Sequence, residues 1–498
     1  MSFVRRSDRQ ILVITNWRDR KHPEAGGAEA VCERLARNFA DRGMDVVLLT
    51  SSVEGEGRHD HVEGYKIVRR GGTYTAYVWA LLWLLAHRGQ VQAVVDSQNG
   101  IPFFTPLVVK KKTPVLMLIH HVHQDQFALY LPPMAARLGR WLESKGSCLV
   151  YRDRTIIAVS PSTRMGARRR LGLKGDIVVI PPGFESPAAT LAPLKSRSKT
   201  PRIVCVGRLV AHKSVASIVA AVPELVGEFP GLELHIVGDG TERPAIEAIV
   251  SDLDLSDHVV VHGALSTPDR DQLMRTAWMS VNASKGEGWG LSVVEANSLG
   301  VPVLAYQRPG LRDSIRHGET GWLLDDAEAL APAIASVLRD LEDEGEAMAM
   351  GTRTRQWAAQ FTWEEMGAQV FSLLEAERGR LAQSPNNRRH VTDLASVVRL
   401  PVELLPHGKV PSFRSTDKCV MSDGDFVVLL RNTDTETAKL ALRRAGFLPE
   451  VIEDARVLVT VARHVDLVSP AIASVQATVP VGQRNEVDGD SDSDALAG

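Results

Sequence analysis

Arg202-Ile-Val-Cys-Val206 is a short β-branched apolar run followed at once by Gly207-Arg208, and it opens a series of strands for the second time in the chain. Glu233-Leu-His-Ile-Val237, His258-Val-Val-Val261, Met279-Ser-Val-Asn282, Pro302-Val-Leu-Ala305 and Trp322-Leu-Leu324 continue it. The first series begins with Ile11-Leu-Val-Ile-Thr15. A loop with Gly26-Gly27 follows, and then a helix over Ala28 to Arg42 in which Val31, Leu35 and Phe39 repeat on one face. Gly43 ends that helix before the strand Asp45-Val-Val-Leu-Leu-Thr50. Ala93-Val-Val-Asp96, Val115-Leu-Met-Leu-Ile119, Ile156-Ile-Ala-Val-Ser160 and Ile177-Val-Val-Ile180 complete the first set. Continuous apolar strands alternating with helices predict parallel sheets covered on both faces. The expectation is an α/β chain with two Rossmann-like domains, residues 1–190 and 191–378, joined by a Pro/Ser/Lys/Thr-rich linker over Ser186 to Pro201. Ligands of such folds bind at the carboxyl ends of the strands, so facing domains put their working loops in the cleft between them.

A length of 498 residues suits two domains of ordinary size plus an extension. The 44% hydrophobic and 24% charged residues are those of a globular protein. Cys32, Cys148, Cys205 and Cys419 lack the short paired spacing of a zinc or redox motif and read as reduced thiols, which points to a cytoplasmic protein. The polar N-terminus shows no secretory signal. The most apolar run, Ala76 to Ala86, is shorter than the ~20 residues that cross a bilayer, and a buried helix is expected there ahead of an interfacial one. The net charge of −2 hides an asymmetry: residues 1–190 carry 27 Lys and Arg against 17 Asp and Glu, a net of +10, which leaves −12 for the rest. Such a field could attract an anionic lipid surface or a phosphorylated substrate, or could be a solvated face with no partner.

Beyond Arg378 the character changes. Asp425-Phe-Val-Val-Leu-Leu430, a helical stretch from Thr435 to Ala445 and Val457-Leu-Val-Thr-Val461 predict a small β-α-β appendage within residues 379–480. The segment 481–498 alternates acids at Asp488, Asp490, Asp492 and Asp494 with Gly, Ser and Ala around them. It reads as a disordered acidic tail, since the bidentate Glu and flanking helices of a calcium loop are missing.

The chemistry concentrates in Glu287-Gly-Trp-Gly-Leu-Ser-Val-Val-Glu295. The glycines set Glu287 on a tight loop, and a helix begins near Leu291. Its N-terminus offers free N–H groups and the positive end of a dipole, which suits a phosphate. Two carboxylates so placed can accept bonds from sugar hydroxyls, which is expected ahead of a glycine turn with two surface glutamates. Arg208 and Lys213, just after the strand ending at Val206, can stabilise the charge that grows on a departing diphosphate.

Gly207-Arg208-Leu209, Lys213, Gly238-Asp239-Gly240, the Glu287 to Glu295 segment, Gly300-Val-Pro-Val303 and His317-Gly-Glu-Thr-Gly321 occur in an order that resembles the family 4 retaining glycosyltransferases. Phe361-Thr-Trp363 and the helix after it, near 362–378, resemble that family's C-terminal helix, which crosses back onto the N-terminal domain. The resemblance covers residues 11 to about 378 and implies a GT-B fold, with two Rossmann-like domains facing across a cleft. It further implies that Arg208 and Lys213 hold a donor diphosphate, that Gly207 and Gly310 line the donor site and that Glu287 contacts the transferred sugar. Glu295 would accept the ribose hydroxyls, with the backbone near Leu291 and Ser292 at the phosphates. Gly26-Gly27-Ala28-Glu29 looks like the family's glycine loop, and His120 stands where the family places an active-site histidine. Which of His120, His121 and His123 faces the donor stays open.

The resemblance implies a hexosyltransferase that uses a nucleoside-diphosphate sugar and needs no metal or other cofactor. Its partners would be that donor and a glycan or lipid-linked acceptor. No nucleic acid is expected, and peripheral association with the inner membrane face is an open reading. A nucleotide-sugar epimerase and a non-catalytic scaffold acting through residues 385–498 are the alternatives. A dinucleotide site is not expected, because no Gly-x-Gly-x-x-Gly follows Thr15. Three positions depart from the family pattern: Ser214 for a glycine, Pro182 for an Asn, and Arg308-Pro309-Gly310 for a double glycine, the last bearing on the choice of sugar. Asp252-Leu-Asp254 and Asp269-Arg-Asp271 read as solvated surface acids. Asp96 and the polar turn after it could line an acceptor pocket or cap a helix.

Overall fold

The computed structural model describes residues 10–184, 197–325, 329–383, 394–414, 417–422, 424–431, 433 and 435–461. Most of the predicted linker and all of the acidic tail lie outside the described residues. The described chain divides into two compact units, one up to residue 392 and one from 393.

The first unit holds two sheets. The N-terminal one comprises β1 (Ile11–Thr15), β2 (Asp45–Thr50), β3 (His59–Val62), β4 (Tyr65–Arg69), β5 (Val91–Asn99), β6 (Val115–His121), β7 (Ile156–Ala158) and β8 (Ile177–Val179), in the order β3-β4-β2-β1-β5-β6-β7-β8. Leu12, Val13 and Ile14 are fully buried because β1 lies between β2 and β5 with both faces covered. The sheet departs from the all-parallel expectation at one edge, where β3 runs antiparallel to β4. His59-Asp-His-Val62 is too polar to read as a strand. An edge needs pairing on one side only, so polar side chains are tolerated there.

The second sheet comprises β9 (Arg202–Val206), β10 (Glu233–Val237), β11 (Val259–Gly263), β12 (Met279–Asn282), β13 (Val303–Tyr306) and β14 (Gly321–Leu324). Its order, β11-β10-β9-β12-β13-β14, is that of a doubly wound domain, and its pairs are parallel. The order reverses between β9 and β12, which opens a crevice at their carboxyl ends. The helix Trp363–Gln383 runs five residues past the predicted end near 378 and packs on the N-terminal domain. Gly367 allows this, since a Cβ there would lie 2.2 Å from the Asn38 side chain. The guanidinium of Arg42 stands 5.2 Å over the Phe371 ring, Arg154 reaches buried Glu377 at 3.6 Å, and Arg380 donates to Asp153 O at 3.0 Å.

The second unit contains β15 (Leu394–Pro401), β16 (Lys418–Ser422), β17 (Asp425–Arg431) and β18 (Arg456–Val461) in an antiparallel sheet of order β16-β17-β15-β18. The predicted β-α-β is present but split: β15 inserts between β17 and β18 and is antiparallel to both.

The helix Thr75–Ala86 is not buried: it turns Ala76, Ala80 and Leu84 inward, while Tyr74, Val78, Leu82 and Leu85 face outward. A helix packed on one side of a sheet has only one covered stripe, however apolar its sequence. Asp96 caps the following turn. Its carboxylate accepts from Phe103 N at 2.9 Å, Thr105 N at 3.0 Å, Thr105 Oγ1 at 2.7 Å and the hydroxyl of Tyr151. Burial raises the Asp96 carboxyl above its usual range while these donors pull it back. Because Asp96→Ala strands several buried donors, it is predicted to cost about 3 kcal/mol in urea unfolding. A loss below about 1 kcal/mol would show that the cap is dispensable.

Candidate active site

The crevice between β9 and β12 gathers the charged residues. Lys213 sits on the 3-10 turn Ala211–Lys213 after β9, and Glu287 sits on the loop after β12. The two form a partly buried ion pair, and Ser284 Oγ donates to the same Glu287 oxygen at 2.7 Å. Lys285 N donates to His212 O at 2.9 Å, which ties the two loops together. Burial would raise the Glu287 carboxyl, but the charge and hydrogen bond of Lys213, with Ser284, outweigh it and leave Glu287 below its usual range. The carboxylate is therefore ionised at neutral pH.

The Arg308 to Gly310 loop holds the backbone of Glu287. Glu287 N donates to Pro309 O at 2.9 Å, and Gly310 has φ +82°, where a Cβ would lie 2.4 Å from Glu287 O. Glycine is thus required by both conformation and space. Asp313 accepts from Gly310 N at 3.2 Å and, across the cleft, from Ser162 N at 3.1 Å. Arg312 donates to Ser162 Oγ at 2.9 Å.

The helix Leu291–Ser298 begins after Gly290, and its internal bonding starts where Val293 and Val294 donate to Gly290 O. The N–H groups of Leu291 and Ser292 precede that bonding and belong to the open first turn. Glu295, one turn on, receives Arg270 at 3.3 Å. Burial raises its carboxyl, and Arg270 opposes the rise. Arg270 also pairs with Asp271 at 2.8 Å, so Asp271 is a partly buried member of this group and not the solvated acid expected of it. Asp252, Asp254 and Asp269 are exposed, as expected.

The facing wall is the N-terminus of the helix Gly27–Asp41. Arg208 crosses to it, donating to Glu24 O at 3.2 Å, and a Cβ on Gly26 would stand 3.4 Å from Arg208 Nε. A Cβ on Gly27 would stand 2.9 Å from Leu291 Cδ1. Two helix N-termini and a guanidinium therefore meet at one place, a setting for a polyanion. Gly207, at the end of β9, lies under Gly238, where a Cβ would be 1.9 Å from Gly207 O.

The three histidines separate. A Cβ on Gly288 would lie 2.1 Å from His120 O, so the loop of Glu287 passes directly over the end of β6. The His120 ring turns inward to Ser97 Oγ at 2.8 Å and Cys32 Sγ at 3.9 Å, and Ser97 Oγ in turn donates to Asn16 Oδ1 at 2.9 Å. His121 lies beside Gly286 and feels the charge of Glu287. His123 packs edge-on to His121, with its ring nitrogen 3.0 Å from His121 O. Ser284, His212, Arg270 and Asp313 also belong to the site, and sequence reading passed over them. A serine three residues before Glu287 and a histidine beside Lys213 were the available signals. Arg270 and Asp313 are brought in only by the fold.

Two doubly wound domains joined by a returning helix, with their strand ends facing across a charged cleft, define a GT-B architecture. The chain belongs to the GT4 glycosyltransferases: the Glycosyltransferase Family 4 model matches residues 25–186 and the Glycosyl transferases group 1 model matches residues 189–357. It is 29% identical over 381 residues to a GDP-mannose-dependent alpha-(1-6)-phosphatidylinositol monomannoside mannosyltransferase of Mycolicibacterium smegmatis, covering 72% of this chain and 96% of that protein. Its match to the Mycobacterium tuberculosis protein of the same name is 28% identical over 44% of this chain and 61% of that protein. The fold resembles that of a sucrose-phosphate synthase from Thermosynechococcus elongatus, with a TM-score of 0.62 and 21% identity over 76% of this chain and all of that one. A glycosyltransferase from Rickettsia africae gives a TM-score of 0.58 and 14% identity over 74% of this chain and 99% of that one.

Burial pushes His120 and His212 down to about 4 and His123 to about 3, so all three are neutral in the folded protein at pH 7. Buried Glu143 moves the other way, to about 7. Unfolding at pH 5 lets the histidines take up protons, while Glu143 releases part of one, a net uptake of about two protons from these groups. Stability should therefore fall as pH drops from 7 to 5, by up to about 1.4 kcal/mol per proton per pH unit. Urea unfolding midpoints that stay flat across that interval would contradict this arrangement.

Proposed function

We propose that the chain moves a hexose from a nucleoside-diphosphate sugar to an acceptor hydroxyl with retention at the anomeric carbon. The observation that carries this reading is the Lys213–Glu287 pair beside the two converging helix N-termini and Arg208. In the proposed reaction Arg208 and the open N–H groups of Leu291 and Ser292 take the diphosphate. Glu287, ionised and fixed by Lys213 and Ser284, accepts hydroxyls of the sugar, and Glu295 accepts those of the ribose. The bond from the anomeric carbon to the β-phosphate oxygen breaks as the acceptor oxygen bonds to the same face. The acceptor proton passes to the departing phosphate. No protein nucleophile is needed, and the cations act where charge grows in the transition state.

The named relatives make GDP-mannose the first donor to test and a lipid-borne glycan the first acceptor. His120, neutral and wired to Ser97 and Asn16, keeps the end of β6 rigid, while His121 is the imidazole nearest Glu287. A cytoplasmic setting is part of the same proposal.

Glu287→Ala is predicted to lower kcat by at least about a hundredfold while leaving the melting temperature within a few degrees. Lys213→Ala should behave similarly, because it removes the partner that fixes Glu287. Full transfer by Glu287→Ala would refute the site assignment. Conversion of the donor to an isomer without any acceptor would instead favour an epimerase.

A further inference from the structure

We infer that one outer face of the N-terminal domain docks on an anionic bilayer surface. Two helices on the same side of the N-terminal sheet turn apolar rows toward solvent. On the helix Thr75–Ala86 the row is Val78, Leu82 and Leu85, exposed by 60%, 60% and 50%. The second is the continuous helical run from Pro133 to Val150, in which Met134, Leu138 and Trp141 follow at four- and three-residue spacing, exposed by 78%, 58% and 53%. Leu149 extends that row beyond a turn of wider winding over Leu142–Gly146. Soluble helices place their apolar stripe inward; the first helix carries an outer apolar row as well as its inner one, and the second buries small and polar residues (Ala136, Gly139, Glu143, Gly146) while its large apolar side chains face out.

The two rows form one surface. Both helices pack on the same core cluster, which includes Ala80, Leu84, Phe103 and Tyr151. Tyr77 stacks on Phe103 at 4.4 Å from the first helix, and a Cβ on Gly146 of the second would stand 3.3 Å from Phe104 Cζ. The stretch that carries Phe103 and Phe104 continues to Leu107, itself 67% exposed, and then to Lys110-Lys111-Lys112.

Charge selects the occupant. Residues 71–152 contain eight Lys and Arg against three acids. Two of those acids, Asp96 and Glu143, are fully buried, and the third, Asp125, pairs with Arg170 at 2.7 Å. Arg88, Lys110, Lys111, Lys112, Arg137 and Lys145 are exposed around the apolar rows. An apolar strip with a tryptophan and a cationic border matches the boundary of an anionic membrane, where tails take the apolar side chains and headgroups the cations. No described helix is long and apolar enough to cross a membrane, so the contact would be peripheral.

The second helix also reaches the cleft. Its buried Glu143 accepts from His123 N at 2.6 Å and from Gln124 Nε2 at 2.6 Å, two and three residues past His121. Docking would bring the bilayer within about one helix diameter of the wall of the cleft that carries His121 and His123.

The test is co-sedimentation of the full chain with vesicles of phosphatidylcholine alone and of phosphatidylcholine mixed with phosphatidylglycerol. Binding to the mixed vesicles is expected, weak binding to the neutral ones, and release as salt is raised. The double variant Leu138→Glu/Trp141→Glu, and separately Leu82→Glu, should bind roughly tenfold more weakly or worse, as should Lys110→Glu/Lys111→Glu/Lys112→Glu. All should keep the wild-type melting temperature. Absence of binding, equal binding to neutral vesicles, or variants that bind like the wild type would overturn the inference. So would a dimer seen by light scattering that the Leu138/Trp141 variant abolishes, because the face would then be covered by a second copy. Vesicle binding needs no turnover, so its failure is distinguishable from failure of the proposed transfer reaction.

Discussion

The ion pair between Lys213 and Glu287 is the interaction on which the cleft is arranged. A partly buried pair is a poor source of stability, since removing two charges from water costs about as much as their attraction returns. Its place at the crevice of the second sheet is better explained by what it orients. Lys213 keeps Glu287 ionised, Ser284 fixes which oxygen is engaged, and Pro309 and Gly310 hold the backbone behind it. Each of these partners comes from a different loop at the carboxyl ends of β9, β12 and β13. The doubly wound order is what brings those ends together.

Close backbone approach then joins the halves. Gly288 passes over His120 O with no room for a Cβ, and the helix beginning at Gly27 meets the one beginning at Leu291. Polar ties among the described residues run through Thr163, Ser162, Arg312, Asp313 and Arg208. The helix Trp363–Gln383 adds an apolar attachment, burying Met366, Val370, Leu373 and Leu374.

Much of this was legible in the residues. Strands such as Arg202–Val206 and Met279–Asn282 match their expected limits because fully buried parallel strands are apolar along their whole length. The edge hairpin of β3 and β4 was not, since an edge strand can be polar and lacks that signature. The helix Thr75–Ala86 misled for the opposite reason: apolarity predicts what a residue prefers, and the fold leaves its outer row uncovered. Within the site, Glu287, Lys213, Arg208 and the glycines could be read from local pattern. Arg270 and Asp313 could not, because they reach partners 25 and 151 residues away, and Asp271 enters only through its neighbour Arg270; a lone surface-type charge has no local mark. The direction of the His120 ring likewise depends on Ser97 and Cys32, which only folding places beside it.

On the proposed reading, the charged floor of the cleft binds a diphosphate. Isothermal titration of GDP and GMP into the wild type and Arg208→Ala, with UDP in parallel, tests it without any assumption about acceptor or sugar. A nucleoside diphosphate should bind at least about tenfold more tightly than the monophosphate, and Arg208→Ala should remove most of that difference. Equal affinity for diphosphate and monophosphate, or a variant that discriminates as well as the wild type, would contradict it.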